Sequence, residues 1–318
     1  MKQLYKKISN IKRTKTNIFL IELFIFLMIL IITNYLKNNI LTMVVMILTF
    51  VVITVSQAIA LNIIMFHIKK IYSRDIVIKN LNNYIKKINY SLKKGFSKDI
   101  FRDYLKFTEV YKSYDYITGV YNKNKFELAT IKITRQRSVF TYDFDSPYNS
   151  YNTIDIFRGD WYIFKLNNKN VENVLIVEKN SKFFNRFSRK MAKVTTKNKL
   201  FDNIFNVYTN TNNLEKKNDK IYMKILNIKE MLNKNLGVDS VMFFINNNEL
   251  HIGIESGIEI LEITSLLGYK EENSMINAIN NNLNLFNKFI KEVNEIVDLI
   301  NSWLYKGQKN ATIIIEEE

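Results

Sequence analysis

Residues 40–68 of the chain read ILTMVVMILTFVVITVSQAIALNIIMFHI, roughly 29 positions without an Asp, Glu, Lys or Arg. A helix needs about 20 apolar residues to cross the hydrocarbon core of a bilayer, so this run exceeds the span and is expected to tilt or protrude. Ahead of it, residues 17–35 form a second apolar run of spanning length, and only Leu36, Lys37, Asn38 and Asn39 separate the two. So short a link can only turn the chain around. The pattern predicts a two-helix transmembrane hairpin over 17–35 and 40–68, with both flanks on the same side of the membrane. A basic start before an apolar run also opens secretory signals, but no small-residue cleavage site follows here, and a second apolar run does.

Charge around the runs sets the expected orientation. The N-terminal flank (1–16) carries Lys2, Lys6, Lys7, Lys12, Arg13 and Lys15, and the far flank carries Lys69, Lys70, Arg74 and Lys79, whereas the turn holds only Lys37. By the positive-inside rule the N-terminus and everything after residue 68 belong in the cytoplasm of a multi-pass cell-membrane protein. Lys69, Lys70, Arg74 and Lys79 are then candidate contacts to anionic headgroups, as is the lysine-rich stretch Lys86, Lys87, Lys93, Lys94 and Lys98 that follows, each worth about 1 kcal/mol near the surface.

The net charge of +16 over 318 residues would by itself point to nucleic acid or an anionic surface. Lys, Asn and Ile saturate the whole chain, however, as the codons of an AT-rich genome dictate, so only the location of charge carries meaning. There is no cysteine, which removes thiol catalysis, thiolate metal sites and disulfides. His67 and His251 are the two histidines, too few for an ordinary zinc or di-iron site. No cofactor or metal is expected, and nothing in the scattered glycines resembles a phosphate-binding loop.

Beyond the membrane runs, 69–98 reads as a basic juxtamembrane helix (71–88) and a linker centred on Gly95. The soluble domain, 99–308, starts with a helix-like stretch at 101–111. Strand patterns follow at 125–134, 153–166 and 171–179, the last two as a hairpin across 167–170, with a loop around Pro147 (143–152). After a short amphipathic stretch at 181–191 comes a strand at 192–196. A helix is expected over 219–236, with Ile221, Ile225, Ile228 and Leu232 on one face, a cap at Asn218 or Asp219, and Gly237 as its left-handed stop. The stretches 240–245 and 249–254 read as a hairpin across an Asn-rich turn. A long C-terminal helix, about 274–305, carries Phe286, Phe289, Val293, Ile296, Ile300 and Trp303 at spacings of three and four, either core or a dimerising seam, so a homo-oligomer stays open; 309–318 reads as a tail. The fold class is α+β: a transmembrane hairpin, then a mixed domain with antiparallel hairpins and a long terminal helix.

The segment 200–254 also resembles a bacterial family catalogued only as domain of unknown function 3137. The resemblance rests on Phe201, Phe205, Val207 and Tyr208 before the 221–236 helix, then on Val241 to Ile245, Asn246 to Glu249 and Leu250 to Ile254. Asp115 to Gly119 and Phe157 to Trp161 are similar to two further family segments. It implies a membrane-anchored mixed domain and supplies no activity or catalytic residues.

Glu22 is the one charge inside either run, and Gln57 and Asn62 are the two side-chain amides of the second. Intramembrane ionisable groups are functional candidates, yet Glu22 lies only about a turn and a half from the interface and can snorkel, while Gln57 and Asn62 suit hydrogen bonding within the hairpin. Counted from the turn, Glu22 reaches Thr54 or Gln57. His67 reads as an interfacial residue, and His251 as a solvent-facing position mid-strand. Asp143 and Asp145 put two carboxylates on one face of an extended chain, which suits a cation or, more plainly, a solvated loop. Gly119 and Gly159 read as tight turns or close backbone approaches.

These observations lead to a non-enzymatic, membrane-tethered cytoplasmic domain that acts by binding, as scaffold or regulator, with the anionic bilayer and another membrane or cytoplasmic protein as partners. A membrane-anchored enzyme using carboxylates at Asp143, Asp145, Asp155 or Asp160 is the runner-up, and would require them in one cleft. A nucleic-acid binder comes third, because it needs an exposed basic, aromatic-lined groove.

Overall fold

The computed structural model of the chain describes residues 2–35, 39–143, 146–167, 173–188, 191–196, 198–210, 219–246, 248–257, 260–261 and 271–315. The chain divides into two units, Met1–Val77 with Ile263–Asn280, and Ile78–Glu262 with Asn281–Glu318.

In the first unit two long helices follow one another, α1 (Lys2–Tyr35) and α2 (Asn39–Ile71). α1 takes in the basic N-terminus as well as the apolar run. Both leave large apolar side chains uncovered: Phe19, Phe24 and Ile31 on α1, and Phe50, Val52 and Ile59 on α2, are all at least half exposed. The helical stretch Met43–Leu81 is long and apolar enough to cross a membrane, and none of its most apolar window is buried within the chain. α2 gives way at Tyr72 to a wider, π-helical turn, Tyr72–Ile78, that buries Tyr72, Ser73, Ile76 and Val77. A single short turn, α3 (Lys79–Leu81), ends the run. A basic helix was expected over 71–88; it stops at Leu81 instead, and the chain turns into a strand.

The second unit is built on a nine-stranded antiparallel sheet. Its strands are β1 (Lys86–Ser91), β2 (Glu109–Tyr121), β3 (Asn124–Asp143), β4 (Ser146–Lys165), β5 (Val174–Glu178), β6 (Ala192–Val194), β7 (Phe205–Thr209), β8 (Ser240–Asn246) and β9 (Glu249–Glu255). They lie in the order β1-β2-β3-β4-β9-β8-β5-β7-β6. The mixed α+β class read from the sequence holds at this level. β1 pairs with β2, so residues placed in a linker belong to the sheet.

Three further expectations give way. The stretch 101–111 is not a helix: a 3-10 turn at Lys98–Phe101 leads into β2 at Glu109, because Phe101 is needed as a buried plug under the sheet. β4 does not pair with β5; it lies between β3 and β9, while β5 pairs with β7 and β8. The loop around Pro147 is mostly strand, with Tyr142 opposite Pro147 in the β3–β4 ladder.

Helices α4 (Lys199–Ile204) and α5 (Asp219–Leu236), with α6 (Glu272–Ile315) from Asn281 onward, complete the unit. Alternation along the strands sends side chains to two different environments. One face carries Phe126, Leu128, Tyr162, Phe164, Ile176, Phe243, Leu250, Ile252 and Ile254, all buried, against α5 and α6. There Tyr162 meets Phe286 and Phe289 of α6 at ring distances of 6.5 and 4.7 Å. The C-terminal stripe is therefore core from Phe286 to Ile300; the Trp303 side chain lies outside the described residues. α5 spans the residues expected of it, and Gly237 stops it at φ +60° with its N–H donating to Asn233 O.

The opposite face is aromatic. Trp161, Phe157, Phe244 and Met242 project into a cluster closed by Phe101, by Phe183, and by Phe184 and Phe187 of a 3-10 turn at Phe184–Ser188. The chains crowd here: a Cβ on Gly159 would stand 1.8 Å from the Ile254 carbonyl oxygen, and one on Gly253 would stand 2.7 Å from Phe184. Gly159 thus permits the close approach of β4 to β9 that its neighbours suggested.

Candidate functional site

The polar residues of the apolar helices meet. The Glu22 carboxylate on α1 accepts from Gln57 Nε2 at 2.6 Å and from Ser56 Oγ at 3.0 Å, both on α2. Thr54 does not take part; its hydroxyl donates to Phe50 O and Val51 O of its own helix, both at 2.9 Å. Ser56 was missed because an isolated serine in a long apolar helix gives no sign of turning away from its own backbone, although Ser56 also donates to Ile53 O at 2.9 Å. Asn62 is exposed and is not brought to the pair. Chemically, two donors from α2 on one carboxylate of α1 tie the rotation of one helix to that of the other.

The basic residues in the last turn of α2 and just beyond it differ from one another. Lys70, Arg74 and Lys79 are exposed and Lys69 is half-buried. Arg74 is bound to its own neighbour, its Nε 2.7 Å from Asp75 Oδ1, and that contact raises the guanidinium pKa. Its charge is therefore already partly answered. His67 is exposed, edge-on to Phe66 at 6.2 Å.

The four acidic residues of the enzyme alternative do not converge where they are described. Asp160 is buried, accepting from Thr130 Oγ1 at 3.2 Å and from the Ile260 N–H at 2.9 Å. Asp155 is exposed and pairs with Lys132 at 3.2 Å. The Asp143 side chain and Asp145 lie outside the described residues, as do Lys37 and Asn38 of the expected membrane turn. Among the described residues no group of three His, Asp or Glu side chains is placed to hold a metal ion.

His251 corrects its own expectation, since it is buried rather than solvent-facing. Both faces of β9 are covered, so alternation does not deliver this residue to water. Trp161 Nε1 donates to His251 Nδ1 at 3.3 Å, and His251 Nε2 lies 3.0 Å from Glu249 Oε2. An indole nitrogen only donates, so the network assigns Nδ1 as the bare nitrogen and places the proton on Nε2, toward Glu249. The hydrogen bond from His251, and with it that from Lys165, outweighs burial and holds the Glu249 carboxyl at about 2.

A second buried carboxylate, Glu109 at the start of β2, is gripped by two arginines that lie far apart in sequence. Arg186 donates to it from Nη1 and Nη2 at 2.8 and 3.1 Å, and Arg135 donates as well. Burial pushes the Glu109 carboxyl up, but the bonds from Arg186, the Lys106 N–H and Arg135 together bring it down to about 2. Between α5 and α6 runs an open groove of about 600 Å³, in which Lys224 bridges to Glu292 at 3.4 Å and to Glu295. Its charges tie the two helices to each other.

No family model, curated protein or solved structure matches the chain.

Proposed function

We propose that the chain is a membrane protein whose α1 and α2 cross the bilayer as an antiparallel hairpin and hold the sheet domain in the cytoplasm, where it acts by binding, as scaffold or regulator, to another membrane or cytoplasmic protein. The observation that carries this reading is the uncovered apolar surface of both helices, with Glu22 turned to Gln57 and Ser56 instead of outward. In water such a surface would be a severe liability, whereas in hydrocarbon it is the ordinary condition of a spanning helix. The ten basic residues flanking the runs against one in the turn support the cytoplasmic side. Kinship with the domain family named for residues 200–254 is part of the proposal and adds no activity to it.

Binding is favoured over catalysis because the buried ionisable groups of the sheet domain serve its framework. Glu109 joins β2 to Arg135 of β3 and to Arg186, and Lys229 of α5 pairs with Glu178 of β5 at 2.8 Å. The test is extraction and crosslinking from native membranes. The chain should resist alkaline carbonate and should crosslink to one dominant protein. Release by carbonate would refute the anchor, and recurrent capture of one small molecule in place of a protein would revive the enzyme reading.

A further inference from the structure

The turn that leads into β2 presents a phenylalanine to solvent and is built to hold it there. Phe107 is fully exposed, at a corner of the turn Lys106-Phe107-Thr108-Glu109 that the Glu109 N–H closes by donating to Lys106 O at 3.0 Å. In return the Lys106 N–H donates to Glu109 Oε2 at 3.0 Å, so the buried carboxylate gripped by Arg186 and Arg135 also fixes the turn. Arg186 adds a bond to Tyr104 O at 3.3 Å on the approach to it. Two arginines and an internal carboxylate thus anchor a corner whose side chain touches nothing. An exposed large apolar residue is ordinary on a loose surface, but one held out on a clamped turn points to an occupant.

The surroundings specify that occupant. The segment 93–107 displays Lys93, Lys94, Lys98, Arg102 and Lys106, all exposed. Against them stand Asp99, already accepting from Arg102 and Ser97, and Asp103. An exposed apolar tip at the end of a segment that carries five cations against two acids is the chemistry of the headgroup boundary of an anionic bilayer, where the ring enters the acyl edge and the cations meet phosphates. We propose that this turn is a second membrane contact, with Phe107 inserted at the boundary and the cations of 93–106 on anionic headgroups. The inference rests on the reading of α2 as an anchor.

Because the chain has no cysteine, single cysteines report cleanly. Full-length Thr108→Cys, labelled with an environment-sensitive nitrobenzoxadiazole dye, is reconstituted in nanodiscs of phosphatidylcholine alone or with phosphatidylglycerol, each with and without nitroxide lipid. Val52→Cys serves as the anchor reference. The expected result is a blue-shifted emission at 108 with quenching severalfold stronger in the anionic discs, weakened by high salt and by Phe107→Ser or Lys94→Glu/Lys106→Glu. If Val52 is quenched while 108 reports water in both discs, this inference fails and the anchor stands. If Val52 is not quenched, the anchor reading fails and takes the inference with it. Equal quenching in both discs would overturn the headgroup assignment, and so would a response only to an added single-stranded oligonucleotide.

Discussion

The carboxylate of Glu22 and the amide of Gln57 lie 2.6 Å apart across α1 and α2, and of the two partners that counting from the turn put within reach of Glu22, Thr54 and Gln57, only the second is engaged. A bond of this kind inside a membrane is worth on average about 0.6 kcal/mol and at most about 2. Glu22→Leu should therefore leave insertion and abundance intact. A double-mutant cycle of Glu22→Leu with Gln57→Leu, read from thermal unfolding of the full chain in nanodiscs, should return a coupling in that range. If Glu22→Leu and Glu22→Gln both abolish the cellular phenotype at unchanged protein levels, the carboxylate itself acts, and the structural account is wrong.

Topology is open to a labelling test. With the flanks cytoplasmic, a cysteine at Asn38 should react with an impermeant thiol reagent applied to intact cells, and one at Lys309 should react only after permeabilisation. Labelling at Lys309 in intact cells would reverse the orientation.

Glu109 makes acid stability a readout of the arginine clamp. Its carboxyl sits at about 2 in the fold, below the value of about 4.3 for an unfolded glutamate, so its contribution is full above that value and is lost as pH falls through the folded one. The loss should amount to roughly 3 kcal/mol, developing between about pH 4.3 and 2. Glu109→Gln should show most of it already at pH 7, and the gap between wild type and variant, measured by denaturant unfolding in micelles, should narrow below pH 4. A constant gap would mean that shape, not charge, holds the turn.

Phe289 decides between core and seam for α6. Its ring is buried and lies 4.7 Å from Tyr162 of β4. Phe289→Ala should cost about 3–5 kcal/mol of stability without changing the number of chains per particle in light scattering. A drop from dimer to monomer would show that the stripe is a seam.

Gly159→Ala should separate β4 from β9. The added carbon would sit 1.8 Å from the Ile254 carbonyl oxygen, a backbone atom that cannot rotate away. A loss of about 3 kcal/mol is expected, visible as a lower melting temperature. An unchanged melting temperature would mean that the strands are looser than drawn.

Periodicity and composition were enough for the apolar runs, for α5 with its glycine stop, for the β8–β9 hairpin and for the existence of an apolar stripe on α6, because each of these is specified by neighbours in sequence. A helix face repeats every three to four residues, and a hairpin closes over a two-residue turn. Glu22 and Gln57 were legible for a related reason: a short link between two helices makes depth a matter of counting. What local pattern could not supply was decided by the tertiary structure. Strand order is one such case: β4 rejects its neighbour β5 and pairs with β9, more than eighty residues away, because pairing partners are chosen by which faces can be buried together. His251 is another, since a strand covered on both faces sends even its alternate residues into the core. The Glu109 clamp is a third, with a carboxylate, Arg135 and Arg186 meeting only once the sheet and the turn at Phe184–Ser188 are in place. A charge buried with its partners carries no signature in the sequence around it; its identity follows from what the fold brings within hydrogen-bonding reach.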